Sequence, residues 1–183
     1  MSRIDPPDAD ALDSTVEELF AQIADIHGFV PNQHRLEAHF PLLLRSLLDL
    51  NRRVLLAGDL DPDLLEIIAF VLAVENECEY CQRYHGRLLE DHTITAEGVE
   101  QLRSNWRAYE FTPRERTIVE FAVTVNANPH AVTDETIANL IEYGLSERAL
   151  VQLVHFTSLM RGYHTFNIVF DTDESDRDGH WMG

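Results

Sequence analysis

The sequence has 183 residues, of which 45% are hydrophobic and 25% are charged, so we expect one globular domain and exclude wholesale disorder. Asp and Glu number 32 against 14 basic residues, which gives a formal net charge of −18. This charge argues against nucleic acid and anionic membranes as partners, because both are bound by basic surfaces.

All 14 basic residues are Arg, and Lys is absent although it is usually among the commonest residues. Arg is less strongly hydrated than Lys and pairs bidentately with carboxylates. A surface this acidic repels itself unless salt screens it, and at 1 M salt the Debye length is about 3 Å. We interpret the composition as an adaptation to a very salty cell interior, with an ordinary acidic protein as the alternative.

No apolar stretch approaches the roughly 20 residues that a membrane-spanning helix needs. The first eight residues, MSRIDPPD, contain no apolar core of a secretory signal. The sequence therefore predicts a soluble, cytoplasmic protein.

Helix start and stop signals recur along the chain and predict an all-α fold. Capping-box patterns begin at Ser14 and Thr112, and prolines suited to a first helical turn stand at positions 41 and 62. Sustained period-two alternation is absent, so no strand is predicted. The predicted helices run from Ser14 to Gly28, from Pro41 to Ala57, from Asp61 to about Asn76, from Glu77 or Cys78 to Glu90, from Ala96 to Asn105, from Thr112 to Asn126, from Thr133 or Asp134 to Gly144, and from Ser146 to about Phe170.

The domain boundaries follow from these signals. We expect an acidic N-terminal extension over residues 1–13, one helical domain over 14–170, and an acidic tail over 171–183. The tail carries mostly Asp, Glu and Ser at its start, a composition typical of a solvated, frayed segment.

The two cysteines of the chain, Cys78 and Cys81, are followed by His85. On a helix these three residues share one face, and the two Cα atoms would lie roughly 5 Å apart, which a disulfide accepts. The exposed amides of a helix N-terminus favour a thiolate there. An imidazole one turn after Cys81 can take up a thiol proton and return it. Together the three side chains predict a dithiol redox centre.

Three other interpretations of the cysteines compete with this one. Two buried structural thiols are possible, because free Cys is often found in cores. A zinc site is possible too, but a structural site needs four ligands and no second pair is present. A simple surface disulfide does not suit a reducing cytoplasm.

Glu66 lies on the preceding predicted helix in an apolar setting, where an unpaired carboxylate would be costly. Antiparallel packing of the two helices could bring it to His85. The carboxylate would then fix the tautomer of the imidazole and complete a proton relay. A surface Glu on an amphipathic helix is the alternative.

The spacing Glu66-x11-Cys78-x2-Cys81-x3-His85 resembles the signature of the carboxymuconolactone decarboxylase superfamily, and specifically its alkylhydroperoxidase D-like (AhpD-like), peroxidase-related branch. The segments 28–32, 41–44, 112–116, 132–135 and 166–167 look like other parts of that branch. The resemblance covers about residues 14–170.

This resemblance implies an all-helical fold that assembles as a homo-oligomer, commonly a trimer or hexamer, with a dimer also possible. It implies that Cys78 and Cys81 cycle between dithiol and disulfide while reducing hydroperoxides, that Glu66 and His85 relay protons, and that an external dithiol or disulfide-reductase protein supplies electrons. No cofactor or metal is predicted from the residues, because no Gly-rich phosphate loop occurs and the remaining histidines show no metal-binding spacing. Well-known members carry His before the second Cys, where this chain has Tyr80, so that role does not transfer. Lactone decarboxylases lack the Cys pair, which disfavours decarboxylation.

Two other classes of function stay open from the sequence. The protein could be a redox sensor or disulfide-exchange protein without efficient peroxidase turnover, or a non-redox assembly protein whose thiols only pack. The other histidines show no metal-binding spacing, and we interpret His155 and His164 as packing or hydrogen-bonded residues of the last helix.

Overall fold

The computed structural model describes residues 1–8, 12 and 14–174. Within these residues every regular element is helical, which confirms the all-α prediction. None of the described helices is both long enough and apolar enough to cross a bilayer. The α-helices are α1 (Ser14–His27), α2 (Asn32–Glu37), α3 (Pro41–Leu56), α4 (Pro62–Glu75), α5 (Glu79–His92), α6 (Ala96–Asn105), α7 (Pro113–Ala127), α8 (Asp134–Glu142) and α9 (Glu147–Phe170), with short 3-10 helices at Trp106–Ala108 and Pro129–Ala131.

Several helices begin where the sequence places a capping residue. Thr112 caps α7 through a full capping box with Glu115, whose carboxylate accepts the Thr112 backbone N–H. Thr95 caps α6 by accepting the backbone N–H of Gly98, and Asp61 caps α4 ahead of Pro62. These local signals explain why the predicted starts agree with the structure.

The short helix α2 was not predicted, and all six of its residues are buried although five are polar. Such a helix lacks the apolar stripe that sequence patterns detect. It is stabilised instead by buried hydrogen bonds: the Glu37 carboxylate lies 2.7 Å from Nδ1 of His34 and accepts a 3.0 Å bond from Gln33. Asn167 donates a further 2.8 Å bond to Gln33.

The chain divides into two compact units. The first comprises Met1–Leu50 and the chain from Asn167 onward, and its apolar core is formed by α1 with Ala38 and Leu44. The second comprises Asn51–Phe166 and contains the larger core together with every predicted site residue. Residues 9–11, 13 and 175–183 lie outside the described residues, so the predicted extension and tail boundaries stay predictions.

Helix α4 is the centre of the second unit, since nine of its 14 residues are buried. Helices α5, α6 and α7 pack against it. Gly86 permits the close approach of α5, because a Cβ at this position would lie 3.2 Å from Cε2 of Phe70 on α4. Helix α5 begins at Glu79 and ends at His92, slightly later than predicted at both ends. The α4–α5 pair carries the predicted Glu, Cys and His residues.

Candidate active site

The turn between α4 and α5 places both cysteines at the start of α5. Asn76 ends α4, Glu77 follows with a φ of 55°, and Cys78 is the N-cap of α5. The Sγ atom of Cys78 accepts the backbone N–H of Cys81 over 3.3 Å. Cys78 therefore occupies the position where exposed helix amides favour negative charge on sulfur.

Cys78 and Cys81 form a disulfide, with their Cα atoms 5.3 Å apart. This separation agrees with the value expected from helix geometry. The two residues are only 1% and 3% exposed, and they cluster with Ala73 and Tyr80. The pair is therefore a buried disulfide at a helix start rather than a surface cross-link.

Glu66 and His85 meet across the α4–α5 packing. Oε1 of Glu66 lies 2.6 Å from Nδ1 of His85, and the two side chains are 21% and 15% exposed. The carboxylate accepts a hydrogen bond from Nδ1, which carries the ring proton. In the neutral ring the lone pair is therefore on Nε2. This contact is the one expected from the sequence, and the ring that it orients lies one helical turn beyond Cys81.

Two tyrosines pack beside these residues. Tyr80 is buried, and its ring stacks on Tyr84 with centroids 6.5 Å apart. Tyr84 in turn meets the ring of His85 edge-on, with centroids 5.3 Å apart. Tyr80 and Tyr84 thus place two aromatic rings next to His85.

A second imidazole lies close to this site and was interpreted from the sequence only as a packing or hydrogen-bonded residue. His164 on α9 is buried, and its Nδ1 lies 2.8 Å from Nδ2 of Asn76. Burial lowers the pKa of His164 to about 3, and Arg161 and the protonated form of His85 act in the same direction. His155, by contrast, is exposed. No spacing motif links His164 to this part of the chain, because its hydrogen bond with Asn76 depends on helix packing.

Asn76 belongs to a partly buried amide network that sequence reasoning also missed. Asn76 and Asn126 exchange reciprocal side-chain hydrogen bonds of 3.1 and 2.9 Å. Arg161 donates to the backbone carbonyl of Asn126 over 2.9 Å and approaches both amide oxygens. This network joins α4, α7 and α9 at the residue that ends α4, two positions before the first cysteine.

No group of three His, Cys, Asp or Glu side chains suited to a metal ion occurs among the described residues. The arrangement is a dithiol–disulfide pair at a helix N-terminus with an oriented imidazole nearby. Such a pair can be oxidised by two electrons and reduced again by thiol exchange.

Comparison with known proteins bears on the fold. Residues 41–124 match the carboxymuconolactone decarboxylase family. A peroxidase-related protein from Ralstonia eutropha JMP134, described as an alkylhydroperoxidase AhpD core, shares 24% identity and a TM-score of 0.87, with 94% of this chain and 91% of that chain covered. A peroxidase-related protein from Silicibacter sp. TM1040 shares 21% identity over the same fractions, also with a TM-score of 0.87.

A third similar structure is a cysteine-to-alanine variant of the debrominase Bmp8 in complex with 2,3,4-tribromopyrrole. It shares 17% identity and a TM-score of 0.76, and the comparison covers 92% of this chain and 89% of that chain. No match was found among curated proteins. At these identities the structural likeness establishes the AhpD-like fold, and the proteins that share it include enzymes.

Proposed function

We propose that this chain, whose residues 41–124 match the carboxymuconolactone decarboxylase family and whose fold is AhpD-like, is a thiol-dependent peroxidase that reduces hydroperoxides through Cys78 and Cys81. The observation that carries this proposal is the buried disulfide at the start of α5, one helical turn from an imidazole that a carboxylate orients. A structural cross-link would not need the oriented imidazole. A peroxidase needs both a redox pair and a group that moves protons.

The proposed reaction starts from the reduced pair. His85 takes a thiol proton at Nε2, and Glu66 stabilises the imidazolium through Nδ1. The thiolate attacks the distal peroxide oxygen, an S–O bond forms, and the O–O bond breaks. The departing alkoxide takes the proton from His85 and leaves as alcohol, while the attacking cysteine becomes a sulfenic acid.

The second thiol closes the cycle. It attacks the sulfenic sulfur, the S–S bond forms, and hydroxide leaves with the thiol proton as water. Overall, two thiols and one hydroperoxide give one disulfide, one alcohol and one water. An external dithiol then reduces the disulfide by exchange and is itself oxidised to a disulfide. We propose that a cytoplasmic dithiol or disulfide-reductase protein fills this role, because that compartment supplies reduced thiols.

The test is peroxide consumption by the full chain in molar potassium chloride, with dithiothreitol as electron donor and with hydrogen peroxide and cumene hydroperoxide as substrates. Molar salt is used because the surface charge of −18 needs screening. We expect multiple turnovers that depend on both cysteines. Rapid oxidation of the thiols without turnover would instead support a sensor or exchange protein, and unreactive thiols would support a non-redox assembly protein.

The same assay distinguishes a peroxidase from a dehalogenase. Removal of bromine as bromide from an aryl bromide also consumes two thiols, so the dithiol supplies the correct number of electrons for both reactions. Including 2,3,4-tribromopyrrole, which the debrominase Bmp8 binds, measures this alternative directly. Bromide release in the absence of peroxide turnover would overturn the peroxidase proposal.

We further propose that the protein acts as a homo-oligomer, with a trimer or hexamer expected. Leu44 alone among the residues of α3, all of them described, is buried, whereas Leu42, Leu43 and Leu50 are exposed. An apolar surface of this kind is typical of a subunit interface. Light scattering coupled to size exclusion in molar salt tests the assembly, and a monomer at micromolar concentration would contradict it.

A further inference from the structure

His164 is a buried histidine, and one of its ring nitrogens has no hydrogen-bond acceptor among the described residues of the oxidised protein. The residue is 1% exposed, and its ring is held by Asn76 on one side. Its other nitrogen, Nε2, is buried and has no hydrogen-bond partner among the described residues. Buried polar groups are rarely left unpaired, because the lost hydration is not replaced.

The tautomer of His164 follows from the amide network around it. Arg161 can only donate, and its Nη1 lies 3.3 Å from Oδ1 of Asn76 and 3.4 Å from Oδ1 of Asn126. The guanidinium therefore fixes the orientation of both amides. Nδ2 of Asn76 must then donate to Nδ1 of His164, and the proton of the neutral ring resides on Nε2.

The position of the ring relates it to the redox pair. Asn76, which binds the ring, ends α4 two residues before Cys78. A proton on His85 would act electrostatically on His164. His164 thus lies beside the turn that carries the disulfide and within electrostatic range of His85.

The ring also stays neutral. Burial, followed by the protonated form of His85 and by Arg161, lowers the pKa of His164 to about 3. The titratable and charged groups that act on the ring are His85, which Glu66 contacts, and Arg161. At any pH where the protein works, Nε2 is a donor and cannot act as a base.

We propose that the Nε2–H group of His164 donates a hydrogen bond to the thiolate that forms when the Cys78–Cys81 disulfide is reduced. The inference rests on the proposed function in one respect, namely that the working state is the reduced one. Reduction by a dithiol breaks the S–S bond and gives two thiols, while the reductant becomes a disulfide. One thiol then passes its proton to Nε2 of His85, and the thiolate that remains supplies the acceptor that His164 lacks in the oxidised state.

The two histidines then have separate tasks. His85 moves the proton, and its ring is oriented by a carboxylate. His164 stabilises the negative charge that remains on the cysteine sulfur after deprotonation, and its ring is oriented by a neutral amide. A carboxylate at Nδ1 of His164 would favour the imidazolium and make a second base, whereas an amide favours a permanent donor.

The decisive experiment measures the acidity of the thiols in the reduced protein, by thiolate absorbance at about 240 nm and by the pH dependence of iodoacetamide alkylation. His164→Asn keeps a hydrogen-bond acceptor near the position of Nδ1 but removes the Nε2–H donor. His164→Gln places an amide N–H near the position of Nε2. We expect His164→Asn to weaken the acidity of the more acidic thiol about tenfold, and His164→Gln to restore most of it. Equal acidity in the wild type and both variants would overturn the proposal.

A measurement on the unmodified protein covers the case in which these variants fail to fold. Nitrogen-15 NMR of the histidine rings reports the tautomer and hydrogen bonding of His164 in both redox states. We expect the Nε2–H tautomer throughout, with the Nε2 resonance moving when the disulfide is reduced. An Nδ1–H tautomer, or a ring unaffected by reduction and shifted only by added peroxide, would overturn the proposal.

Neither measurement uses peroxide turnover. A protein that shows the expected thiol acidity and ring shift but does not consume hydroperoxide would refute the peroxidase proposal and leave the role of His164 intact. Normal hydroperoxide turnover together with unchanged thiol acidity in His164→Asn would refute the role of His164 and leave the peroxidase proposal intact.

Discussion

The carboxylate of Glu66 on α4 lies 2.6 Å from Nδ1 of His85 on α5, across the packing of these two helices. The contact fixes which nitrogen of His85 faces the carboxylate and leaves Nε2 pointing away from it. The imidazole one turn beyond Cys81 is therefore oriented by a residue of another helix.

The first prediction concerns this pair. Glu66→Gln keeps a hydrogen-bonding side chain of the same size but removes the charge that stabilises the imidazolium. We expect peroxide turnover to fall about 10- to 100-fold, while thermal stability changes little. Glu90→Gln is the matched control, because Glu90 is exposed on α5 and lies in the same helix as His85. Full activity of Glu66→Gln would show that the carboxylate is not part of the relay.

The second prediction concerns which cysteine attacks the peroxide and which one then closes the disulfide. We expect Cys78→Ser and Cys81→Ser each to abolish multiple turnover, because neither variant can form the disulfide. One of them should still form a single sulfenic acid with peroxide, which dimedone labelling and mass spectrometry would detect. The cysteine that remains in that variant is the attacking one. Sustained turnover by either variant would contradict the dithiol cycle.

The third prediction is a pH dependence of stability that comes from His164. Its folded pKa of about 3 lies below the value of 6.5 for an unperturbed histidine, so between these pH values the unfolded chain binds a proton that the folded chain does not. Stability is therefore lost as pH falls from 6.5 towards 3. The loss due to this one group is about 1.4 kcal/mol for each pH unit.

Urea unfolding at a series of pH values would measure this effect. The free energy of unfolding of the wild type should decrease more steeply below pH 6.5 than that of His164→Asn, which lacks the titrating ring. Parallel pH profiles for the two proteins would show that His164 is able to accept a proton in the folded state.

The fourth prediction concerns the turn before the first cysteine. Glu77 has a φ of 55°, a left-handed conformation that favours Gly after a helix end. We expect Glu77→Gly to stabilise the protein by up to about 1 kcal/mol, because a non-Gly residue pays a steric cost there. Glu79→Gly is the control: Glu79 is also exposed but lies in the first turn of α5, where Gly should destabilise by about 0.5–1 kcal/mol. Urea melts of both variants would check the opposite signs.

The parts of the fold that sequence predicts are those with local causes. The starts of α6 and α7 follow from Thr95 and Thr112, which cap helices within three residues of themselves. The one-face arrangement of Cys78, Cys81 and His85 follows from helix geometry alone, and the partner of Glu66 could be inferred because the two helices are adjacent in sequence.

The parts that escaped prediction have distant causes. Helix α2 has no apolar stripe and is stabilised by buried polar contacts, one of them with Asn167. His164 reaches the site only because α4, α7 and α9 pack together around Asn76 and Asn126. Contacts between residues so far apart in the chain leave no spacing pattern to read.

The burial of both sulfurs limits what can reach the disulfide. In thiol exchange the incoming thiolate must approach along the S–S axis, and Cys78 and Cys81 are only 1% and 3% exposed. For the proposed cycle we therefore expect small hydroperoxides and small dithiols to react faster than bulky oxidants or a folded reductase.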